Sequence, residues 1–353
     1  MRSPRHILVT GGAGFIGSNY LLHCVSKHPE THFVNLDALT YAGNLENLQA
    51  VEHAENYTFE QGDITDVDRV RQLFNEYAFD AVVHFAAESH VDRSIADPTS
   101  FVRTNVDGTL VLLQVARQYW DDSTINGIFH HVSTDEVFGS LGATGQFTLD
   151  TPYAPRSPYA ASKAAADHLV RAFGETYDFP FVITNTTNNY GPYQFPEKLI
   201  PLVISNVRAG KPIPIYGKGD NVRDWLFVTD HCVALDKVLR MGQPGATYLI
   251  GGSQEVSNLE LVYALLDLYD EHAGNQAKSS RSLITFVTDR PGHDFRYALD
   301  SSITEKEMDW KPAHDLRTGL KATLEWYLNN ESWLDNVLSE QYRTYYDAQY
   351  SDR

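Results

Sequence analysis

The 353-residue chain is short of cysteine and methionine, has no long apolar run and carries a deficit of positive charge. Its two cysteines, Cys24 and Cys232, lie far apart with neither a metal-ligand spacing nor a disulfide framework. That excludes a cystine-stapled domain, leaves no expected metal site and points to a reducing compartment. Twenty-eight Lys and Arg stand against 46 Asp and Glu, a net charge of −18, so an extended nucleic-acid backbone is excluded as a partner. The opening MRSPRHILVTGG has only a few apolar residues before a glycine turn, too few for a secretory segment or a membrane span. We expect a cytoplasmic protein with no membrane partner.

What is present is an alternation. Apolar, β-branched runs recur at HILVT (6–10), HFVNL (32–36), YTFEQ (57–61), AVVHF (81–85), GIFHHVS (127–133) and PFVITN (180–185), with helical stretches between them, the longest near 98–119 and 157–178. This predicts an α/β fold with a Rossmann-type, doubly wound parallel sheet. After Asn188 the alternation stops and Pro and Gly become frequent, so a smaller C-terminal substrate-binding lobe is expected to begin there. The expected division is a dinucleotide domain over 1–189, with the chain returning to it near 225–252, and the second lobe mainly over 190–353. Ser257 and Glu260 have the spacing of a capping box ahead of an amphipathic helix, 273–282 reads as a polar surface loop, and the tyrosine-rich tail after about 337 shows no periodicity.

TGGAGFIGS (10–18) follows the first strand and opens a helix. Gly12, Gly14 and Gly17 satisfy one dinucleotide spacing, and Gly11, Gly14 and Gly17 another. Either lets the backbone approach a pyrophosphate on the helix N-terminus. Asp37, twenty residues beyond Gly17 at the end of the second strand, is placed to accept from a ribose 2′-hydroxyl and to repel a 2′-phosphate, favouring NAD over NADP. Asp63 and Ile64 end the third strand, where they would meet the adenine, although such an Asp taken alone is more often a helix cap.

SPYAASK (157–163) sets Tyr159 and Lys163 at i and i+4 on one helix face. A tyrosine needs its phenolic pKa lowered by about 3 units, ~4 kcal/mol, to act as a base near neutrality, and a neighbouring ammonium works in that direction. With Thr134 to hold a hydroxyl, such a pair can oxidise a secondary alcohol. That chemistry has no use for the adjacent acids Asp135 and Glu136 in HVSTDEVFG. An acid and a base are wanted when oxidation is followed by elimination of water: the transient ketone acidifies a C–H, one carboxylate takes that proton, and the other, kept protonated, donates to the departing hydroxyl.

Together, GGAGFIGS, DALTYAGNLENL, FAAESHVDRS, STDEVFG, SPYAASK, TNTTNNYGPYQFPEKLIP, PIPIYGKGDNVRDW and DRPGHDFRYALD resemble the extended short-chain dehydrogenase/reductases, and within them the dTDP-glucose 4,6-dehydratases. The resemblance implies bound NAD, a dTDP-glucose substrate and a homodimer formed through two long helices. It assigns Tyr159 to the 4-hydroxyl, Glu136 to the C5 proton and Asp135 to the leaving 6-hydroxyl. Phe15, Ile16, Asn44, Phe85, Ala86, Ala87, Ser89, Thr104 and Asn189 would join the glycine loop, Tyr159 and Lys163 around the cofactor. Ser89, Thr134 and Asn188 would contact the sugar, and Lys198, Leu199, Pro214, Tyr216, Arg223, Asn258, Arg290 and His293 the nucleotide diphosphate. The chain departs from the family at Phe138, where Tyr is more common, and at Ala38, where Lys is frequent; neither has a chemical role in this scheme. A 4-epimerase, a decarboxylase or a mannose-type dehydratase on the same scaffold is the rival reading, the last carrying T-S-E where this chain has T-D-E. A non-catalytic NAD-binding regulator would predict a damaged Y-x-x-x-K.

Overall fold

A computed structural model describes residues 1–338; the tail discussed above lies, from 339 on, outside the described residues. Seven parallel strands form the central sheet. In chain order they are β1 (His6–Thr10), β2 (His32–Asp37), β3 (Tyr57–Gln61), β4 (Ala81–His84), β5 (Ile128–Thr134), β6 (Phe181–Thr186) and the strand Thr247–Ile250. Their spatial order is Thr247–Ile250, β6, β5, β4, β1, β2, β3. Because β1 lies between β2 and β4, the winding reverses there and leaves a crevice at the carboxyl ends of the strands.

The strands read as nearly continuous apolar runs because both faces are covered. Ile7 and Val9 face one core with Tyr20, Cys24 and Leu235, while Leu8 faces the other with Phe74, Leu113 and Phe129. The helix Pro158–Tyr177 starts where the sequence predicts: the Ser157 hydroxyl accepts from the Ala160 amide (3.1 Å), and Pro158 occupies the first turn, where its missing N–H costs nothing. The stretch near 98–119 is also helical, but as Pro98–Val102 and Gly108–Asp121 joined by a wide turn at Arg103–Asp107.

A third core, with Ile204, Ile215, Trp225, Leu265, Leu324 and Trp333, builds the second lobe. Its helix Asn258–Ala273 carries the Ser257/Glu260 capping box. The loop after it is not wholly irregular, since Ser279–Leu283 forms a 3-10 turn fastened by Ser280 to the buried Asp270. The chain goes back to the central sheet through the helix Val228–Met241 and the strand Thr247–Ile250, which pairs with β6. It does so again at 302–310, where Met308 and Trp310 enter the first core, a return that the sequence pattern does not announce. Among the described residues, no helix is long and apolar enough to cross a membrane.

Candidate active site

The crevice holds two clefts that share Glu136, Asn188, Asn189, Gln194, Glu197 and Lys198, so they are continuous. The longer runs from the glycine loop to Tyr159 and Lys163; the shorter opens into the second lobe.

The glycine loop settles the choice between its two spacings. Gly11, Gly14 and Gly17 line the long cleft, whereas Gly12 packs behind the loop against Asn35 and Leu21. Gly11 has φ +72°, and a Cβ there would come within 2.6 Å of the Ala86 amide nitrogen. No side chain caps the N-terminus of the helix Phe15–Lys27, so the first-turn amides at Phe15, Ile16 and Gly17 are left to an anion in the cleft. Asp37 lines the wall and already accepts from Ala13 N (2.9 Å) and Leu39 N (2.8 Å). A carboxylate has about four lone-pair sites, so two remain for a ribose. These features fit a dinucleotide.

Phe85, Ala86, Ala87, Ser89, Thr104 and Asn189 line the same cleft, as do Asp63 and Ile64. Asp63 is not the helix cap; Asp66 is, while Asp63 accepts from Thr65 N (2.8 Å). Asn44 does not line the cleft. Its side chain accepts from Glu46 N (3.0 Å) and caps the turn Leu45–Leu48, and its amide donates to Ala13 O (3.0 Å), so it supports the glycine loop from behind. At Glu197, which lines the cleft, the Tyr41 hydroxyl donates to Oε1 (3.0 Å), Arg93 Nε donates to Oε2 (3.1 Å), and the Arg93 guanidinium lies 3.8 Å above the Tyr41 ring. This triangle ties the loop after β2 to the segment that enters the second lobe.

At the carboxyl end of β5, Thr134 caps a 3-10 turn, Asp135–Phe138, so the two acids leave the strand side by side. Glu136 meets the positive wall of the second cleft: burial raises its pKa, while Arg290, Arg223 and Lys198 oppose the rise. The Asp135 pKa is raised as well: burial, then the Glu136 charge, push it up to about 8 against the opposing charge of Arg223. Its Oδ1 accepts from the Thr134 hydroxyl (3.2 Å), and its Oδ2 has no hydrogen-bond partner among the described residues. One acid is therefore kept protonated near neutrality beside another that cations favour as an anion.

Lys163 Nζ donates to Val132 O (2.8 Å), and burial lowers its pKa to about 8, with Asp167 opposing. Burial, then the Glu136 charge, hold the Tyr159 phenol well above its ordinary range, with the Thr134 hydroxyl working the other way. Lowering the tyrosine pKa is thus left to the Lys163 ammonium, while it keeps its proton, together with a cation brought into the cleft.

The residues expected around the nucleotide diphosphate do converge. Lys198, Leu199, Pro214, Tyr216, Arg223, Asn258, Arg290 and His293 line the shorter cleft, Asn188 stands at the junction, and Ser89 lies in the long cleft. Arg223 is fixed by Asp294 O (2.9 Å) and Val222 O (2.7 Å) and stacks 4.3 Å over the Tyr297 ring. His293 is held by Asp289 (2.7 Å). Sequence reasoning missed Glu197, Tyr297 and Asp167; only Asp167 carries a signal, a carboxylate one turn beyond Lys163 on an alanine-rich face. Of the two departures, Phe138 is buried between Phe147 and Tyr153 at ring distances of 5.2 and 5.1 Å, where no hydroxyl is needed. Outside the clefts, His23, Cys24 and Asp236 come within ligand distance of one another, but Asp236 is already filled by Lys27, His28 and Arg240.

A family model described as GDP-mannose 4,6 dehydratase matches residues 8–323. The chain is 54% identical to a dTDP-glucose 4,6-dehydratase of Xanthomonas campestris pv. campestris (strain B100), over 95% of this chain and 97% of that one. It is 50% identical to dTDP-glucose 4,6-dehydratase 1 of Escherichia coli (strain K12), over 98% and 99%. A dTDP-glucose 4,6-dehydratase from Streptomyces venezuelae, solved with NAD and TYD bound, is 43% identical and superposes with a TM-score of 0.87 over 94% of this chain and 99% of that one. UDP-glucose 4-epimerase of Thermotoga maritima shares the fold at 25% identity and a TM-score of 0.81, over 92% and 99%. With T-D-E at the junction of the clefts and these relatives along nearly its whole length, the chain belongs to the sugar-nucleotide dehydratase family and, within it, to the dTDP-glucose 4,6-dehydratases.

Proposed function

We propose that the protein converts dTDP-D-glucose to dTDP-4-keto-6-deoxy-D-glucose and water, in deoxysugar biosynthesis. The observation that carries this reading is the placement of Asp135 and Glu136 side by side in the cleft that holds Tyr159 and Lys163, with Glu136 reaching the cations of the second cleft. An epimerase needs only the Tyr159 side of that cleft.

The glycine loop, the first-turn amides and Asp37 hold NAD in the long cleft, which, when bound, supplies a hydride acceptor at C4 and afterwards a hydride donor at C6, so no external reductant is consumed. Thr134 and Ser89 orient the sugar, and Tyr159 takes the proton from O4. Glu136 then removes the C5 proton, which the 4-ketone has acidified, and Asp135 gives its proton to the 6-hydroxyl as it departs as water. Arg223 and Arg290, with Lys198, face the diphosphate; guanidinium groups match its oxygens in charge and in geometry.

The domain division assigns 1–189, with the return near 225–252, to NAD, and the rest of the chain from 190 mainly to the sugar nucleotide; over the described residues it is supported by the separate cores on the two faces of the sheet and in the second lobe. A homodimer is supported by Ile95 and Val102, 43% and 50% exposed on the outside of the 91–121 helical run. A reducing, cytoplasmic setting is supported by Cys24 and Cys232, both free and buried. The test of function is incubation of the purified protein with dTDP-glucose and a panel of other nucleoside-diphosphate hexoses, followed by alkali. Ketosugar absorbance is expected from dTDP-glucose, and its absence there would sink the reading. Light scattering that gave a monomer mass would remove the dimer.

A further inference from the structure

Asp167 lines neither cleft, yet its carboxylate reaches Tyr153, Asn185 and His131 on three other segments. It stands one turn beyond Lys163 on the Pro158–Tyr177 helix and is fully buried. Its Oδ2 accepts from the Tyr153 hydroxyl (2.7 Å) and from Asn185 Nδ2 (3.1 Å). The same Asn185 nitrogen also donates to Thr134 O (3.1 Å), so the carboxylate is tied through one amide to the backbone that leads into Asp135. Its Oδ1 lies 3.1 Å from Nε2 of His131.

Lys163 needs such a neighbour. A buried ammonium loses its hydration, and the carbonyl of Val132 that it touches is neutral. The groups packed around it from other elements do not supply negative charge. His131 on β5 is kept neutral, its pKa lowered by burial and then by Lys163 to about 4. His84 on β4, its ring 5.3 Å from that of His131, is likewise held well below its ordinary value by burial. Tyr153, from the loop that follows the acid pair, is a phenol, and Arg171, which donates to it (3.3 Å), is positive. Asp167 itself stays ionised: burial works against it, but His131, Lys163 and its donors prevail.

We propose that Asp167 is a positioning residue of the alcohol-oxidising half of the site: through Tyr153 and Asn185 it holds the helix of Tyr159 and Lys163 in register with the end of β5, and it places a buried negative charge one turn from the Lys163 ammonium. The inference deepens the function proposed above and rests on it. Lys163 must be protonated to favour the tyrosinate, so the loss of its proton sets the alkaline limit of the oxidation step.

The test is rapid mixing of the protein, as purified with its nicotinamide nucleotide, with dTDP-glucose across a pH series. The rate of nicotinamide reduction is read by absorbance. In Asp167→Asn, which keeps the shape and removes the charge, the alkaline limb should move down by roughly one pH unit and the plateau rate fall at least about tenfold. Asp167→Glu should bring the limb back toward the wild-type position. Tyr153→Phe removes one donor and leaves the charge less shared, so its limb should move up by a few tenths of a unit. That variant carries the test alone should Asp167→Asn not fold, and a limb that stays or falls in it overturns the assignment. A slower Asp167→Asn with an unmoved limb would make Asp167 a packing residue and nothing more. If the unaltered protein reduces no nicotinamide with dTDP-glucose, the proposed function fails and takes this assignment with it, whereas an unmoved limb in an active protein removes only Asp167.

Discussion

Asp135 and Glu136 are neighbours in the chain and on one 3-10 turn, yet Glu136 has Arg290, Arg223 and Lys198 around it while the strongest charge on Asp135 is that of Glu136, opposed by Arg223. Two identical functional groups are driven apart by what lies around them, and that separation is what an acid and a base in one elimination require.

If the pair serves elimination and not oxidation, Asp135→Asn and Glu136→Gln should both still reduce the bound nicotinamide on mixing with dTDP-glucose. Product formation should fall by roughly 10²–10⁴-fold, the usual range for loss of a general acid or base. In D₂O, Glu136→Gln should also suppress exchange at C5. Stopped-flow absorbance with mass spectrometry of the recovered sugar reads both, and normal product from both variants would make the carboxylates structural.

The acid must be protonated and the base ionised, so product formation should follow a bell in pH. Its alkaline limb falls as Asp135 loses its proton near about 8, and its acidic limb lies above the ordinary Glu range. Stability follows with a definite sign. A carboxyl whose folded pKa is raised binds its proton more tightly when folded, so its contribution is full below the unfolded pKa and is lost as pH rises toward about 8. In the cofactor-free protein, Asp135→Asn should therefore raise the unfolding free energy at pH 8 more than at pH 5, by about 1–3 kcal/mol, in paired urea titrations.

Tyr159→Phe deletes only the phenolic oxygen from a buried helix face, so fold and bound nucleotide should be retained while the oxidation step is lost. The nicotinamide should stay oxidised when substrate is added. Turnover within about tenfold of wild type, under ~1.4 kcal/mol of barrier, would show that Tyr159 is not the essential base.

A cofactor restored in every cycle has no need to exchange, and the protein should purify with NAD or NADH bound. The Tyr41 and Arg93 side chains hold Glu197, which lines that cleft. Tyr41→Phe removes one of these hydrogen bonds to a buried carboxylate, of order 1.5–3 kcal/mol, and should raise the rate of nucleotide loss by at least about tenfold. Nucleotide content after timed gel filtration measures it; equal retention would make the triangle irrelevant to holding the cofactor.

The chemistry that depends on short spacings was legible in the chain by itself. The glycine turn after β1, the i, i+4 pair Tyr159 and Lys163, the Ser257/Glu260 capping box and the adjacent acids at the end of β5 are set by backbone periods of a few residues. Tertiary structure decided what those groups become. Only the fold shows that Gly11 and not Gly12 lines the cleft and that Asn44 is a cap behind the loop. The cations that single out Glu136 arrive from positions 198, 223 and 290, and the counter-charge of Lys163 is fastened by residues from three other segments. The physical reason is range: a turn or a helix face is fixed by neighbours within a few residues, whereas a carboxyl's proton affinity is fixed by the desolvation and charge of everything packed within several ångströms, whatever its place in the chain.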